Sequence, residues 1–150
     1  MNRKAILVDV DGTLADIGHR LHYIKNKPKQ WGKFKKESYG DTPYKDIVWL
    51  VNVLASSGAH ILIVTARTED EREITKLWLD EVAGLKHIYD RMYMRKDGDY
   101  REDPIVKKEL LEQIKLDGYE PYMVIDDRNR VVKMWRELGL RCLQVRDGDF

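Results

Sequence analysis

Two pairs of aspartates carry the clearest chemical signal in this sequence. Asp9 and Asp11 stand two positions apart directly after an apolar run, and Asp126 and Asp127 follow another such run. Carboxylates held this close repel one another and lose hydration when buried, so they persist comfortably when a divalent cation sits between them. The pattern therefore predicts a site for a divalent cation. Solvated acids in tight turns at two strand ends remain the alternative interpretation.

The apolar runs read as short buried strands, and these strands must bring the aspartates together. Residues 5–8, 60–64 and 122–125 form such runs, and helical stripes of apolar residues separate them. In a parallel α/β sheet, ligands bind outside the carboxyl ends of the strands. The sequence therefore predicts an α/β fold whose chemistry lies at that edge. Residues 41–43, Asp-Thr-Pro, predict the start of the helix between the first two strands.

Two basic side chains stand where they could meet a phosphate at this edge. Arg67 follows the second predicted strand, and its forked donors suit a phosphate oxygen or, equally, an acid in a salt bridge. Lys107 lies one helical turn after Asp103, a spacing at which an acid and a lysine form an ordinary stabilising pair. The residues alone leave both alternatives open for Arg67, whereas for Lys107 taken in isolation they favour the salt bridge.

The segment 16–45 differs in composition from the rest of the chain, because basic residues outnumber acidic ones and aromatic rings are interleaved. Basic side chains neutralise phosphates and rings stack on unpaired bases, so this composition is typical of a single-strand groove. A small helical excursion with core-facing rings and solvated lysines would have the same composition. The cations are Arg20, Lys25, Lys27, Lys29, Lys33, Lys35, Lys36 and Lys45, and the rings are His19, His22, Tyr23, Trp31, Phe34, Tyr39 and Tyr44.

Composition excludes several classes of protein. The chain has 150 residues, 35% of them charged, and a net charge of +1, so its overall charge indicates no polyanionic partner. Its one cysteine, Cys142, excludes an internal disulfide and a cysteine-based zinc site. No apolar run approaches membrane-spanning length, and the N-terminus does not read as a signal peptide. We expect no membrane partner and a cytoplasmic location, in a bacterium or a phage-infected host cell.

The motifs, taken in order, resemble those of the haloacid dehalogenase (HAD) superfamily of phosphotransferases. Residues 9–13, DVDGT, are similar to its first motif, and Asp126 with Asp127 to its fourth. Thr65 fits the second motif and Lys107 the third.

This resemblance implies a Rossmann-like HAD fold, with a central parallel sheet, helices on both faces and a small basic helical insertion after the first strand. It implies a single phosphatase domain over residues 1–150, in which residues 16–45 are a cap-like insertion.

A closer resemblance, to the 3′-phosphatase domain of bacteriophage polynucleotide kinase/phosphatase, covers nearly the whole chain. It rests on TAR at 65–67, R-x-x-G-D-x-R at 95–101, Asp103 with Lys107, IDDR at 125–128 and the closing QVRDGDF. A Walker loop, G-x-x-x-x-G-K-[ST], is missing from the sequence, so we expect the phosphatase without the kinase of that family.

The implied function is Mg²⁺-dependent removal of the 3′-terminal phosphate of RNA or DNA, in nucleic-acid end repair, through an aspartyl-phosphate intermediate. The implied partners are 3′-phosphate ends and a separate kinase or ligase, with the oligomeric state left open.

The resemblance also implies a role for each matching residue. Asp9 would be the nucleophile and Asp11 the general acid and base. Asp103 would position Lys107. The expected catalytic residues are Asp9, Asp11, Thr65 and Lys107. The expected phosphate- and substrate-binding residues are Arg67, Arg95, Arg101, Asp103 and Lys107. The expected Mg²⁺ ligands are Asp9, Asp11, Asp126 and Asp127.

Two other functions fit the same residues. One is a HAD phosphatase of nucleotides or other small phosphomonoesters, which keeps the chemistry and changes the substrate. The other is a non-catalytic nucleic-acid-binding module, which would have no use for a general acid at Asp11.

Overall fold

The computed structural model describes residues 3–150 of the chain, and strands and helices alternate along it from Thr42 onward. The strands are β1 Lys4–Val8, β2 Ala15–Asp16, β3 Thr42–Pro43, β4 His60–Thr68, β5 Arg91–Arg95, β6 Glu120–Asp126 and β7 Arg141–Gln144. The α-helices are α1 His22–Lys25, α2 Trp31–Lys36, α3 Lys45–Ser56, α4 Arg72–Leu77, α5 Asp103–Leu116 and α6 Asn129–Glu137. A π-helical turn, Trp78–Val82, extends α4. Within residues 3–150, the helices lack the combination of length and apolar composition that crossing a membrane requires.

The five longer strands form one parallel sheet with β1 at its centre. Their order is β5-β4-β1-β6-β7, and Val8 of β1 is aligned with Ile63 of β4 and Ile125 of β6. The chain fills one side of β1 first and then crosses to the other. In such sheets the ligand-binding crevice lies where the direction reverses, at the carboxyl ends of the strands. The ends of β1, β4 and β6 therefore define the place to search for a site.

Helices cover both faces of this sheet, because successive strand residues point to opposite sides. One apolar cluster joins β1 to α3 and includes Ile6 and Val51, together with residues of the π-helical turn. The other joins β1 to α5 and α6 and includes Leu7, Leu111 and Trp135. The predicted α/β fold, with a central parallel sheet and helices on both faces, is confirmed.

The segment after β1 contains α1, α2 and two 3₁₀ turns, and a short antiparallel pairing joins its two ends. In that pairing Ala15 of β2 lies opposite Pro43 of β3. The helix start predicted at residues 41–43 is therefore wrong, since α3 begins at Lys45. Proline fits the first turn of a helix and also a short edge strand. The partner strand, which is distant in sequence, decides between the two.

Candidate active site

The loop after β1 brings Asp9 and Asp11 to the carboxyl edge of the sheet. The Asp9 N–H donates to the Ile125 carbonyl at 3.0 Å, which extends the pairing of β1 with β6. Gly12 then turns the chain with a φ of 82°. A Cβ at Gly12 would lie 2.1 Å from Asp127 Oδ2, so a side chain there would collide with the loop after β6. The two acidic loops thus meet at this glycine.

Three carboxylates form a compact, buried cluster at this meeting point. One oxygen from each of Asp9, Asp126 and Asp127 lies within 4.8 Å of the other two. Burial, followed by repulsion from Asp126, raises the pKa of Asp9 well above its ordinary value. The same two causes raise the pKa of Asp127. A set of hard oxygen donors with unbalanced negative charge fits a divalent cation such as Mg²⁺.

Lys107, in the second turn of α5, supplies positive charge to this carboxylate cluster. Its buried Nζ donates to Asp9 Oδ1 at 2.8 Å and to Asp126 Oδ2 at 2.9 Å. Burial alone would lower the pKa of Lys107, but attraction from Asp126 and then Asp9 outweighs burial and raises it. Lys107 is therefore charged, and it offsets one of three negative charges.

Neighbouring side chains orient the carboxylates. Thr13 Oγ1 donates to Asp9 Oδ2 at 3.0 Å from the same loop. Trp135 Nε1 on α6 donates to Asp126 Oδ2 at 3.2 Å. Each of these carboxylates therefore has one defined rotamer, which is the preorganisation that a metal ligand or nucleophile requires.

Asp11 is held beside the carboxylate cluster by two arginines. Arg67 donates to Asp11 Oδ1 from Nε at 3.0 Å and from Nη2 at 2.5 Å, and Arg20 Nη2 donates at 3.2 Å. The buried carboxylate of Asp41 accepts from Arg20 Nε at 2.8 Å and Arg67 Nη2 at 3.1 Å. Burial would raise the pKa of Asp11, but Arg67, aided by Arg20, outweighs burial and lowers it. Asp11 is therefore ionised in this arrangement.

Thr65 is buried in β4 next to these groups. Its Oγ1 accepts a hydrogen bond from the Arg67 N–H at 3.1 Å, which leaves the hydroxyl hydrogen for another acceptor. Arg67 is braced further by Thr75, whose Oγ1 lies 3.1 Å from Nη1. The fold thus brings most of the predicted site residues to one edge of the sheet, namely Asp9, Asp11, Thr65, Arg67, Lys107, Asp126 and Asp127.

Arg95 and Arg101, two predicted substrate-binding residues, are engaged in contacts of their own. Arg95 donates to the carbonyls of Ala66 and Arg101, at 2.9 and 2.6 Å. The Arg101 guanidinium donates hydrogen bonds to the carboxylates of Asp99 and Glu109, at 2.9 and 2.6 Å. These contacts stabilise the loop between β5 and α5, and the substrate role of both arginines stays a prediction.

Asp103 contacts other residues than the one predicted. It accepts from Arg95 Nη2 and from Arg128 Nη1, each at 2.6 Å. Lys107 turns instead toward Asp9 and its neighbours. The expected Asp103–Lys107 pair is replaced because an exposed pair one helical turn apart contributes only about 0.2–0.5 kcal/mol, which buried carboxylates easily exceed. Asp103 links β5 and the loop after β6 to the first turn of α5.

Four side chains that support the site were not recognised in the sequence. They are Thr13, Arg20, Asp41 and Arg146. One signal was available, because Arg20 is the single arginine among the cations of residues 16–45. Its forked donors suit a buried ion pair better than a lysine does. Arg146, which donates to Asp127 Oδ2 at 3.2 Å, carries no local signal because the two loops meet only in the folded chain.

The rings of residues 16–45 divide between the two interpretations of that segment. Phe34 is buried and packs against the Arg20 guanidinium, 4.1 Å from its ring centroid. Trp31 and Tyr39 are 50% and 43% exposed. Most lysines of the segment are also exposed. The segment therefore has a core-facing side, which braces the site, and a basic and aromatic outer side.

In a comparison with known proteins, one family model matches the whole described chain. A family model described as the phosphatase domain of the polynucleotide kinase PNKP matches residues 3–150. A curated protein of Autographa californica nuclear polyhedrosis virus, assigned as a bifunctional polynucleotide kinase/RNA ligase, is 27% identical over 138 residues. That match covers 91% of this chain and 18% of the viral protein.

Solved structures share the fold. A chain in the structure of a Pnkp1/Rnl/Hen1 complex superposes with a TM-score of 0.80 at 32% identity, covering 99% of this chain and 48% of that one. A haloacid dehalogenase-like hydrolase, SP0104 from Streptococcus pneumoniae, has a TM-score of 0.67 at 17% identity, covering 93% and 83% of the two chains. The chain thus spans about half the length of the Pnkp1/Rnl/Hen1 chain and about a fifth of the viral protein.

Proposed function

We propose, from the premise that this chain belongs to the family of polynucleotide kinase phosphatase domains, that it is a Mg²⁺-dependent polynucleotide 3′-phosphatase. The observation that carries this proposal is the buried cluster of Asp9, Asp126 and Asp127 with Lys107 bonded into it. A binding module would gain nothing from burying three repelling carboxylates, whereas phosphoryl transfer uses such a cluster directly.

Asp9 is the nucleophile of the proposed reaction. Its carboxylate oxygen attacks phosphorus, the bond from phosphorus to the 3′-oxygen breaks, and an aspartyl-phosphate forms. Thr13 holds the carboxylate through Oδ2, 3.0 Å from its hydroxyl, so the carboxylate keeps one orientation during the attack. Water then cleaves the aspartyl-phosphate and returns Asp9 to its starting state.

Asp11 transfers the protons in this proposal. It protonates the departing 3′-oxygen and then takes a proton from the attacking water. Its carboxylate is ionised while Arg67 and Arg20 bind it. When the phosphoryl oxygens of the substrate take the Arg67 guanidinium, Asp11 loses the contact that lowers its pKa most and can carry the proton. Arg67 thereby couples phosphate binding to the acid.

Positive charge and donors for the phosphoryl oxygens come from three side chains. Lys107 lies against the nucleophile, Arg67 presents its fork beside it, and Thr65 retains a hydroxyl hydrogen to donate. Such groups stabilise charge that develops on the phosphoryl oxygens during transfer.

The carboxylates of Asp9, Asp126 and Asp127 would hold the metal, together with the backbone carbonyl of Asp11. All of these donors are hard oxygens, which suit Mg²⁺. Bound there, Mg²⁺ would shield the nucleophile from the negative charge of the phosphate.

A polynucleotide substrate is supported by the family and by the relatives, which include a polynucleotide kinase/RNA ligase and a chain of an RNA repair complex. We propose that 3′-phosphate ends of RNA or DNA are the substrate and that a kinase or ligase acts on the product. Residues 16–45 would then act as a cap that is small enough to leave the site open to the end of a polymer. The exposed lysines and rings of this cap would contact the strand.

The test is Mg²⁺-dependent phosphate release from a matched set of esters. The set is one oligonucleotide with a 3′-phosphate, the same with a 5′-phosphate, a 3′-mononucleotide and an aryl phosphate. We expect a strong preference for the 3′-phosphorylated oligonucleotide. Turnover of the small esters alone would keep Asp9 and Asp11 in their roles and overturn the polynucleotide substrate. Strand binding without phosphate release would indicate the non-catalytic module.

A further inference from the structure

The closing segment, residues 144–150, packs backbone to backbone against the loop that carries Asp127. Gln144 Nε2 donates to the Asp127 carbonyl at 2.9 Å, and the Asn129 N–H donates to the Gly148 carbonyl at 2.9 Å. A Cβ at Gly148 would lie 2.0 Å from the Asp127 carbonyl oxygen, so the approach leaves no room for a side chain. The segment is thereby fixed beside the candidate active site.

Arg146 of this segment forms part of the rim of the site. Its Nε donates to Asp127 Oδ2 at 3.2 Å, and its Nη1 donates to Tyr44 Oη at 3.4 Å. A Cβ at Gly12 would lie 2.9 Å from Arg146 Nη2. The guanidinium therefore touches both acidic loops and the end of the insertion.

Phe150 presents an open aromatic ring next to this arginine. The residue is 58% exposed, although its carbonyl accepts from Arg128 Nε at 2.8 Å and so anchors it. The guanidinium carbons of Arg128 and Arg146 lie 5.4 and 5.8 Å from the ring centroid. An anchored, exposed ring flanked by cations has the composition of sites that stack nucleobases and neutralise their phosphates.

We propose that Phe150, Arg128 and Arg146, here called the Phe150 platform, bind the base of the 3′-terminal nucleotide and so select a nucleotide end over a simple phosphate ester. This inference rests on the proposed function, because it assumes that the phosphate lies at Asp9. Arg146 contacts both the carboxylate cluster and the ring, so the sugar of the terminal nucleotide would span the space beside it.

Trp31 is the competing ring. It is 50% exposed and lies 5.7 Å from Lys29 Nζ, as a stacking site would require. Its ring, however, packs edge-on against Phe34, and Phe34 packs against Arg20, so two residues lie between Trp31 and Asp11 along these contacts. A single residue, Arg146, connects the Phe150 ring to Asp127, and this shorter connection favours the platform for the nucleotide that carries the phosphate.

The experiment compares discrimination factors, each defined as kcat/KM for the 3′-phosphorylated oligonucleotide divided by kcat/KM for an aryl phosphate. Loss of one base–aromatic stack predicts that Phe150→Ala lowers this factor about 5- to 150-fold, through KM. Phe150→Tyr, which keeps a ring, restores most of it. An oligonucleotide that ends in an abasic sugar 3′-phosphate shows no difference between wild type and Phe150→Ala.

Tyr122→Ala is the matched control. Tyr122 is 54% exposed and lies under a cation, with Lys4 Nζ 4.8 Å from its ring centroid, but it stands near the opposite end of β6 from Asp126. It should leave the factor unchanged.

Three results would overturn the platform. The first is a discrimination factor that Phe150→Ala leaves unchanged. The second is an equal fall in kcat/KM for the oligonucleotide, the abasic oligonucleotide and the aryl phosphate, which indicates a structural role. The third is a discrimination factor that Trp31→Ala lowers and Phe150→Ala does not. If the wild-type protein hydrolyses the aryl phosphate but ignores the oligonucleotide, the proposed function fails together with the platform. If the wild type prefers the oligonucleotide and Phe150→Ala prefers it by the same factor, only the platform fails.

Discussion

Three buried carboxylates meet at the edge of the sheet with two cations, Lys107 on Asp9 and Asp126 and Arg146 on Asp127, and the remaining negative charge governs the effect of single substitutions there. Asp9→Asn removes the proposed nucleophile, so we expect turnover of every phosphate ester to fall by more than about 10³-fold. The fold should survive, because the change removes one of three mutually repelling groups and Lys107 keeps Asp126 as a partner. An assay of phosphate release checks the loss of turnover, and thermal unfolding checks that the fold survives. A variant that kept a tenth of the activity would remove Asp9 from its role.

The thermal stability of Asp127→Asn, compared with wild type at several pH values, tests the metal site. Burial, followed by repulsion from Asp126, raises the pKa of Asp127, so above its ordinary value of 3.8 the folded protein binds more protons than the unfolded chain. The free energy of unfolding of the metal-free protein therefore falls as the pH rises from about 4 through the raised pKa. In EDTA, Asp127→Asn should unfold at a higher temperature than wild type at pH 7, and the difference should shrink toward pH 4.

With added Mg²⁺ at pH 7, wild type should unfold at a higher temperature than Asp127→Asn. Mass action stabilises a protein by about 2.7 kcal/mol when the ligand is at 100 times its Kd. Wild type should gain most of this and Asp127→Asn much less. An equal gain in both proteins, or a wild type that responds to neither EDTA nor Mg²⁺, would contradict a metal site at these carboxylates.

At the scale of residues, the sequence predicted the groups that end buried strands and missed the groups that brace them. Asp9, Thr65 and Asp126 each follow or end an apolar run, so strand and site are read together. The sequence alone does not identify the partner of Lys107, because Asp103 lies one helical turn away and the carboxylates that Lys107 contacts come near only in the folded chain. Asp41 has no such cue, since its partners Arg20 and Arg67 are 21 and 26 positions away.

The placement of the closing segment depends on the absence of a side chain at Gly148. Gly148→Ala would set a Cβ 2.0 Å from the Asp127 carbonyl oxygen and 2.7 Å from Arg128 Cα, and neither backbone atom can rotate away. We expect the segment to shift, at a loss of about 1–3 kcal/mol in the free energy of unfolding. Denaturation in urea measures it.

Gly32→Ala is the control for this substitution. A Cβ there has open space within 4 Å, and Gly32 lies inside α2. Alanine should be neutral or should raise the free energy of unfolding by up to about 1 kcal/mol, because it favours the helix. If both alanine variants unfold alike, the close packing of the closing segment is not what holds it.

At the scale of elements, the long strands were predictable and the short ones were not. The runs at β1, β4 and β6 are apolar enough to indicate burial on both sides, which only a parallel sheet covered by helices provides. The pairing of β2 with β3 involves two residues from each strand. A pairing so short has no periodicity of its own, and the Thr42-Pro43 dipeptide therefore resembled the beginning of a helix.

The whole molecule carries almost no net charge, so attraction to a polynucleotide must come from local surfaces. Exposed lysines of residues 16–45 provide cations on one local surface, and the arginines of the Phe150 platform, which also pair with Asp103 and Asp127, provide cations on another. The whole-chain charge could not predict this, because acidic residues elsewhere cancel it. The arrangement of the charges, which depends on the fold, decides which ligand the surface attracts.

This distribution of charge predicts a dependence on salt that separates polymer from small ester. If two to four phosphates of a single strand are neutralised, raising salt from 50 to 200 mM should lower kcat/KM for the oligonucleotide about 7- to 50-fold, with little effect on an aryl phosphate. Lys33→Glu, in α2, should reduce the slope of log(kcat/KM) against log salt. Lys115→Glu, at the far end of α5 from Lys107, should leave it unchanged. Equal slopes for the two esters would mean that the strand beyond its terminal phosphate does not touch the protein, and the exposed lysines of residues 16–45 would then be solvated charges only.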